Sequence, residues 1–197
     1  MFKETLMNSF PASVREEIKA IEGSIDLSAK YQSYQPFEIS VEMNALVIPM
    51  RIYTNESQLD ELRGLSEIQK EIIYCYFSRH CDGFVRARCL KGIIQSNNLF
   101  VIPYIVQLLG EYVIEIIEFI YENREQINSS NLIAYINENP RHYEVTRQRV
   151  YSYWDCFYRG EYPKYKPRVK FKGKDYRDYP GIKMVKYINT LLLGKML

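Results

Sequence analysis

From Thr54 onward, apolar residues return every three or four positions in one segment after another, and only about two to five residues separate the segments. Connections that short leave a finished helix no room to travel, so each helix must turn back and pack beside the one before it. The reading is therefore mainly α: a HEAT-like antiparallel helical array, preceded by a small N-terminal β-hairpin. The segment boundaries are written in local chemistry. Ser66 with Gln69 makes a capping box ahead of Ile68, Ile72, Ile73, Tyr76 and Phe77. Asp82 can cap a helix carrying Val85, Cys89, Leu90 and Ile93 on one face. Pro103 is tolerable only near a first turn, so a third helix starts close to Leu99 and Gly110 interrupts it. A fourth is expected over 111–125 and a fifth over 131–138. Pro140 at a first-turn position opens a long sixth that Gly160 ends, and Ile182, Val185, Ile188 and Leu192 mark the last.

Ahead of this series, Phe10, Val14, Ile18 and Ile21 keep helical spacing between Pro11 and Gly23. Phe37, Ile39 and Val41 then alternate with polar residues, and an apolar run follows over 45–53. That pair reads as a hairpin whose second arm is an edge strand or is bent at Pro49, which has no N–H for a ladder. One domain over 1–197 is expected, with a helix and hairpin in 1–55, a helical core in 56–160, and a basic, aromatic segment with a closing helix in 161–197.

Some classes are disfavoured early. Met1 to Phe10 carries charge and no long apolar run, and Leu99 to Gly110, the longest uncharged apolar stretch, is too short to cross a bilayer. A cytoplasmic protein is expected. Cys75, Cys81, Cys89 and Cys156 lack the paired spacings of a zinc or redox site and read as reduced core thiols. No cofactor or metal is implied, and no glycine-rich phosphate loop appears. A nucleophile and base at Cys81 and His80 is disfavoured because adjacent residues on a turn point apart, and His80 is expected to serve a helix end instead. Asp155 beside Trp154 is the sole candidate for a glycosylase-like carboxylate.

Two charge features stand out. Glu111, Glu115, Glu118, Glu122 and Glu125 are spaced four, three, four and three, so on one continuous helix they form a single stripe. Like charges at those spacings cost about 0.2–0.5 kcal/mol per pair, or about 1–2 kcal/mol along the row. Either a basic partner docks there, or the row is a solvated face or one paired internally with Arg86, Arg88 and Lys91 of the neighbouring helix. Tyr112, Val113, Ile116, Phe119 and Ile120 are expected to form the core side of the same helix. Further on, seven Lys or Arg between 161 and 177 oppose only Glu161 and Asp175, so this stretch carries +5 of a formal +2 and the remainder −3. Lys164, Lys166, Arg168, Lys170 and Lys172 alternate with Tyr165 and Phe171, the mixture that a nucleic-acid backbone and exposed bases favour. The same cations could instead lie along the glutamates. Tyr151, Tyr153, Trp154, Phe157 and Tyr158 are expected in the core.

Asp82-Gly83-Phe84-Val85-Arg86, with Cys89, Leu90 and Ile93, resembles the second helix of a HEAT-type repeat, and Pro103, Ile105, Leu108 and Leu109 resemble the first helix of the next. A faint echo lies 28 positions apart, where Phe84, Val85, Cys89 and Ile93 correspond to Tyr112, Val113, Ile117 and Tyr121. The segments at Arg79 to Gly83, Gly110 to Val113 and Ser152 to Cys156 also resemble an uncharacterised bacterial family. The resemblance implies a helical array of a kind that mostly binds proteins, one group of DNA alkylation-repair glycosylases being built the same way. The expectation is thus a non-catalytic macromolecule-binding protein. Its first form is a bacterial inhibitor or immunity protein that masks a basic partner such as a nuclease toxin, and its second is a nucleic-acid-binding array.

Overall fold

The computed structural model describes residues 6–22, 31–32, 36–60, 62–164 and 173–194. It is mainly helical with short antiparallel strand pairs, and its backbone divides into two compact units, Met1–Ile105 and Val106–Leu197. The division falls inside a helix, between Ile105 and Val106. Among the described residues no helix is long and apolar enough to cross a membrane.

In the first unit, a 3-10 turn leads into α1 (Arg15–Glu22), and Phe10, Val14, Ile18 and Ile21 are all buried. Strands β1 (Tyr31–Gln32), β2 (Phe37–Val41), β3 (Asn44–Ile48) and β4 (Ile52–Tyr53) follow. Strand β2 pairs with β3, and β1 with β4. The β2–β3 turn is only Glu42 and Met43, both at positive φ, as a tight hairpin with right-handed strand twist requires. Pro49 ends β3, so the second arm breaks there and Ile52 starts again elsewhere, in line with the missing N–H.

The capping box at Ser66 and Gln69 opens α2 (Glu67–Phe77), and the Asp82 carboxylate accepts from the Phe84 N–H to open α3 (Gly83–Ile93). Helix α2 packs on both α1 and α3. Val85, Cys89, Leu90 and Ile93 are buried as their spacing requires. After a 3-10 turn at Leu99–Val101 comes α4 (Ile102–Leu109), with Pro103 in its first turn. In the second unit lie α5 (Ile114–Glu122), α6 (Ser129–Glu138), α7 (Pro140–Tyr153) and α8 (Pro180–Gly194). Asn128 caps α6 and Pro140 stands at the start of α7. Helix α8 packs against α5, α6 and α7, burying Ile182, Met184, Val185 and Ile188. A polar relay crosses this unit's interior from the Tyr135 hydroxyl to His142 Nδ1 (2.8 Å) and from His142 Nε2 to Gln107 (2.9 Å).

Candidate docking face

The glutamate row survives in shortened form. Gly110 to Val113 form a turn rather than a first helical turn, so α5 begins at Ile114 and carries only Glu115, Glu118 and Glu122. Glu111 is left ahead of the helix and buried. At the other end the Asn123 side chain donates to the Phe119 carbonyl (2.8 Å), α5 stops, and Glu125 falls in a separate 3-10 turn. There it pairs with Arg124 (3.4 Å) and accepts from the Tyr187 hydroxyl (3.3 Å). The expected five-residue ridge is therefore a row of three on one helix. Ile116 and Ile120 are core as expected, whereas Val113 and Phe119 are half-buried and Tyr112 is 50 % exposed.

Cations of the same unit stand near part of this row. Glu118, Tyr121 and Glu122 line an open groove of about 540 Å³ with Tyr162, Lys174, Asp178 and Lys183. The Lys174 ammonium lies 3.4 Å from the Tyr162 hydroxyl and 5.2 Å from that ring's centroid. Its pKa is raised, first by the Tyr162 hydrogen bond and further down by Glu118 and Glu161. Lys183 lies 3.7 Å from Asp178 and 5.6 Å from the Tyr121 centroid. The groove is thus mixed in sign, and among the stripe residues only Glu118 has an electrostatic influence on one of its cations, Lys174. Arg86 is instead buried against the His80 and Cys81 carbonyls (2.9 and 2.8 Å), and Arg88 pairs with Asp60 (2.7 Å). Among the described residues, none of Glu115, Glu118 and Glu122 makes an ion pair, and Glu115 is exposed.

Beside the row lies a feature that the periodicity assigned to the core. Past Tyr153 the backbone of α7 widens into a π-helical turn, Trp154–Tyr158. Such a turn advances fewer degrees per residue than an α-helix and re-aims the side chains beyond it. Trp154 stays inside, its indole N–H donating to the Tyr162 carbonyl (2.9 Å). Phe157 is turned out to 61 % exposure. It forms a triangle with Tyr112 and Tyr153, centroids 6.0 to 6.1 Å apart. Tyr158, stacked on Tyr179 at 5.4 Å, joins the triangle to the glutamates. Its hydroxyl donates to the Tyr112 carbonyl (2.6 Å) just before α5. Its pKa is raised by burial first, then by Glu115, with Glu161 and Glu118 adding less. The periodicity gave Tyr112, Tyr151, Tyr153, Phe157 and Tyr158 to the interior, whereas Tyr112, Tyr151 and Phe157 are exposed and Tyr153 and Tyr158 half-buried.

The remaining candidates fall elsewhere. Lys164 is described, whereas Tyr165, Lys166, Arg168, Lys170, Phe171 and Lys172 lie outside the described residues. The groove needed beside Asp155 is not formed by Trp154, which is buried, and Asp155 pairs with Arg159 (3.2 Å). His80 is held between the Thr54 carbonyl at Nε2 (3.0 Å) and the Asp82 N–H at Nδ1 (3.1 Å). An N–H aimed at Nδ1 fixes the Nε2–H tautomer, so His80 ties the α2–α3 junction to β4. Cys81 Sγ, 4.0 Å from Nδ1, competes with that amide for the same lone pair.

The expectation of four core thiols holds for Cys75 and Cys89 only, since Cys81 and Cys156 are exposed. Burial pushes the Cys75 thiol well up and Cys89 to about 12. Iodoacetamide at pH 8 is therefore expected to alkylate Cys81 and Cys156 in the folded protein and to spare Cys75 and Cys89 until denaturant is added. Peptide mapping by mass spectrometry reads this directly, and early labelling of Cys89 would contradict the packing of α3.

No protein-family model, curated protein or solved structure matches the chain.

Proposed function

We propose that this is a non-catalytic binding protein whose second unit presents an acidic, aromatic face to a basic protein partner, the role of an inhibitor or immunity protein that masks such a partner. The observation that carries it is the exposed ring triangle, joined through Tyr158 to Glu115 and Glu118. Exposed aromatic anchors with a charged border are how binding surfaces concentrate affinity, and the carboxylates speed and orient the encounter. A HEAT-like array is the proposed scaffold, supported by the α2–α3 pair with its short capped junction. The packing of α8 on three earlier helices departs from stepwise stacking.

The test is a fluorescence-anisotropy titration of labelled decalysine against the full chain and a Glu115→Lys, Glu118→Lys variant at low and moderate salt. Wild-type binding that weakens with salt, and falls about tenfold further in the variant, is expected from two reversed rim charges. Equal affinity in both proteins would overturn the proposal. So would tight binding of an RNA homopolymer without binding of decalysine, which would move the function to the basic segment around Lys164.

A further inference from the structure

The triangle admits a narrower statement than a generic anchor. Tyrosine rings elsewhere on this unit carry a cation on a face. The Arg124 guanidinium lies 4.5 Å from the Tyr121 centroid and 5.7 Å from that of Tyr187, and Lys174 covers Tyr162. Among the described residues, no cation covers Tyr112, Tyr153 or Phe157. Their planes meet at 72°, 42° and 39°, so the rings do not stack upon one another, and Tyr112 and Phe157 are 50 % and 61 % exposed. Negative charge lies close by. Phe157 adjoins Tyr158 (centroids 6.5 Å), whose hydroxyl feels Glu115, Glu161 and Glu118.

A ring face next to carboxylates selects among cations. An ammonium keeps its water and gains little from a half-exposed ring. A guanidinium is planar and more weakly hydrated, stacks on the ring, and still offers N–H groups at its edge to a carboxylate. We propose that the Tyr112, Tyr153 and Phe157 triangle is a seat for an arginine side chain of the basic partner. This inference rests on the binding function proposed above and names the side chain that the aromatic part of that face takes. The glutamates draw in any cation, and the rings discriminate between them.

The experiment compares labelled decaarginine with decalysine on the full-length wild type, on Phe157→Leu and on Tyr112→Leu. Leucine keeps the apolar bulk and removes the π face. Both side chains are half-exposed or more, so the fold is expected to stand, with an unchanged far-UV circular dichroism spectrum as the check. Wild type is expected to prefer decaarginine about tenfold. Either leucine variant is expected to cut that preference at least threefold, decaarginine losing more affinity than decalysine. A preference that survives both substitutions overturns the arginine seat and leaves the acidic-face reading intact. Binding of neither peptide to wild type overturns that reading, and the seat with it. Concentration-dependent dimerisation abolished by Phe157→Leu, without arginine preference, would show that the rings meet a second copy of this chain and would overturn the seat as well.

Discussion

Replacing Arg79 with methionine is expected to destabilise the first unit by about 3 kcal/mol, although nothing in this position's surroundings in the sequence singles it out as core. The side chain is fully buried. Its guanidinium donates from Nη2 to the Met50 carbonyl (2.7 Å), from Nε to Pro49 (3.3 Å) and from Nη1 to Ser78 (3.3 Å). Pro49 ends β3, so these carbonyls have left the ladder and need donors from elsewhere. The backbone adds a second stitch, because the Ile52 N–H donates to the Arg79 carbonyl (2.8 Å) and the Cys81 N–H to that of Ile52 (3.0 Å). Methionine preserves most of the volume and removes the donor to the Pro49 and Ser78 carbonyls, while that of Met50 keeps the Arg51 guanidinium (2.7 Å). Lysine is expected to recover less than half of the loss, since one ammonium cannot reproduce a planar fork. Urea unfolding followed by circular dichroism gives the magnitude, and hydrogen exchange at the Ile52 and Cys81 amides shows whether the loss is local. A change under 1 kcal/mol for methionine would mean that the fork is decorative.

Arg79 also marks where sequence reasoning stops. Three helix starts were legible because the groups that make them are neighbours: Ser66 with Gln69, Asp82 with Phe84, and Pro140 at a first turn. The buried face of α3 was legible because 3.6-residue periodicity is a local property. The demand for Arg79, by contrast, arises from carbonyls some 30 positions earlier, which no window around Arg79 contains.

Both misplacements on the candidate face have the same cause. Treating 111–125 as one helix placed five glutamates in line, but the Gly110 to Val113 turn and the Asn123 cap remove the two ends. Treating 140–160 as one α-helix put Phe157 inside, and the π turn carries it out. Periodicity fixes relative orientation only while the helix keeps its pitch. The 28-residue echo misaligns in the same way, since Phe84 lies inside α3 whereas Tyr112 precedes α5.

Substituting Gly181 with valine is expected to cost the second unit about 3 kcal/mol and to disturb the ring triangle from behind. A Cβ at this position would sit 2.9 Å from the Tyr179 ring, 2.9 Å from Val150 Cγ1 and 3.4 Å from Ile117 Cγ2. The requirement is for volume, because Gly181 is the second residue of α8 and its backbone is ordinary there. Alanine already overlaps two neighbours, partly offset by about 1 kcal/mol of helix propensity, whereas valine adds two methyl groups with nowhere to go. Tyr179 is the side chain most able to yield. It stacks on Tyr158, which adjoins Phe157 and holds the Tyr112 carbonyl, so its displacement reaches the triangle through direct contact. Gly160 is the control, with open space around its Cβ direction, and Gly160→Ala is expected to leave stability within about 0.5 kcal/mol of wild type. Thermal unfolding of the three proteins, with decalysine and decaarginine binding measured well below the lowest midpoint, separates the two effects. If Gly181→Val melts with Gly160→Ala, α8 does not need its close approach to α5 and α7. If it melts early yet keeps full arginine preference, Tyr179 does not transmit the strain to the rings.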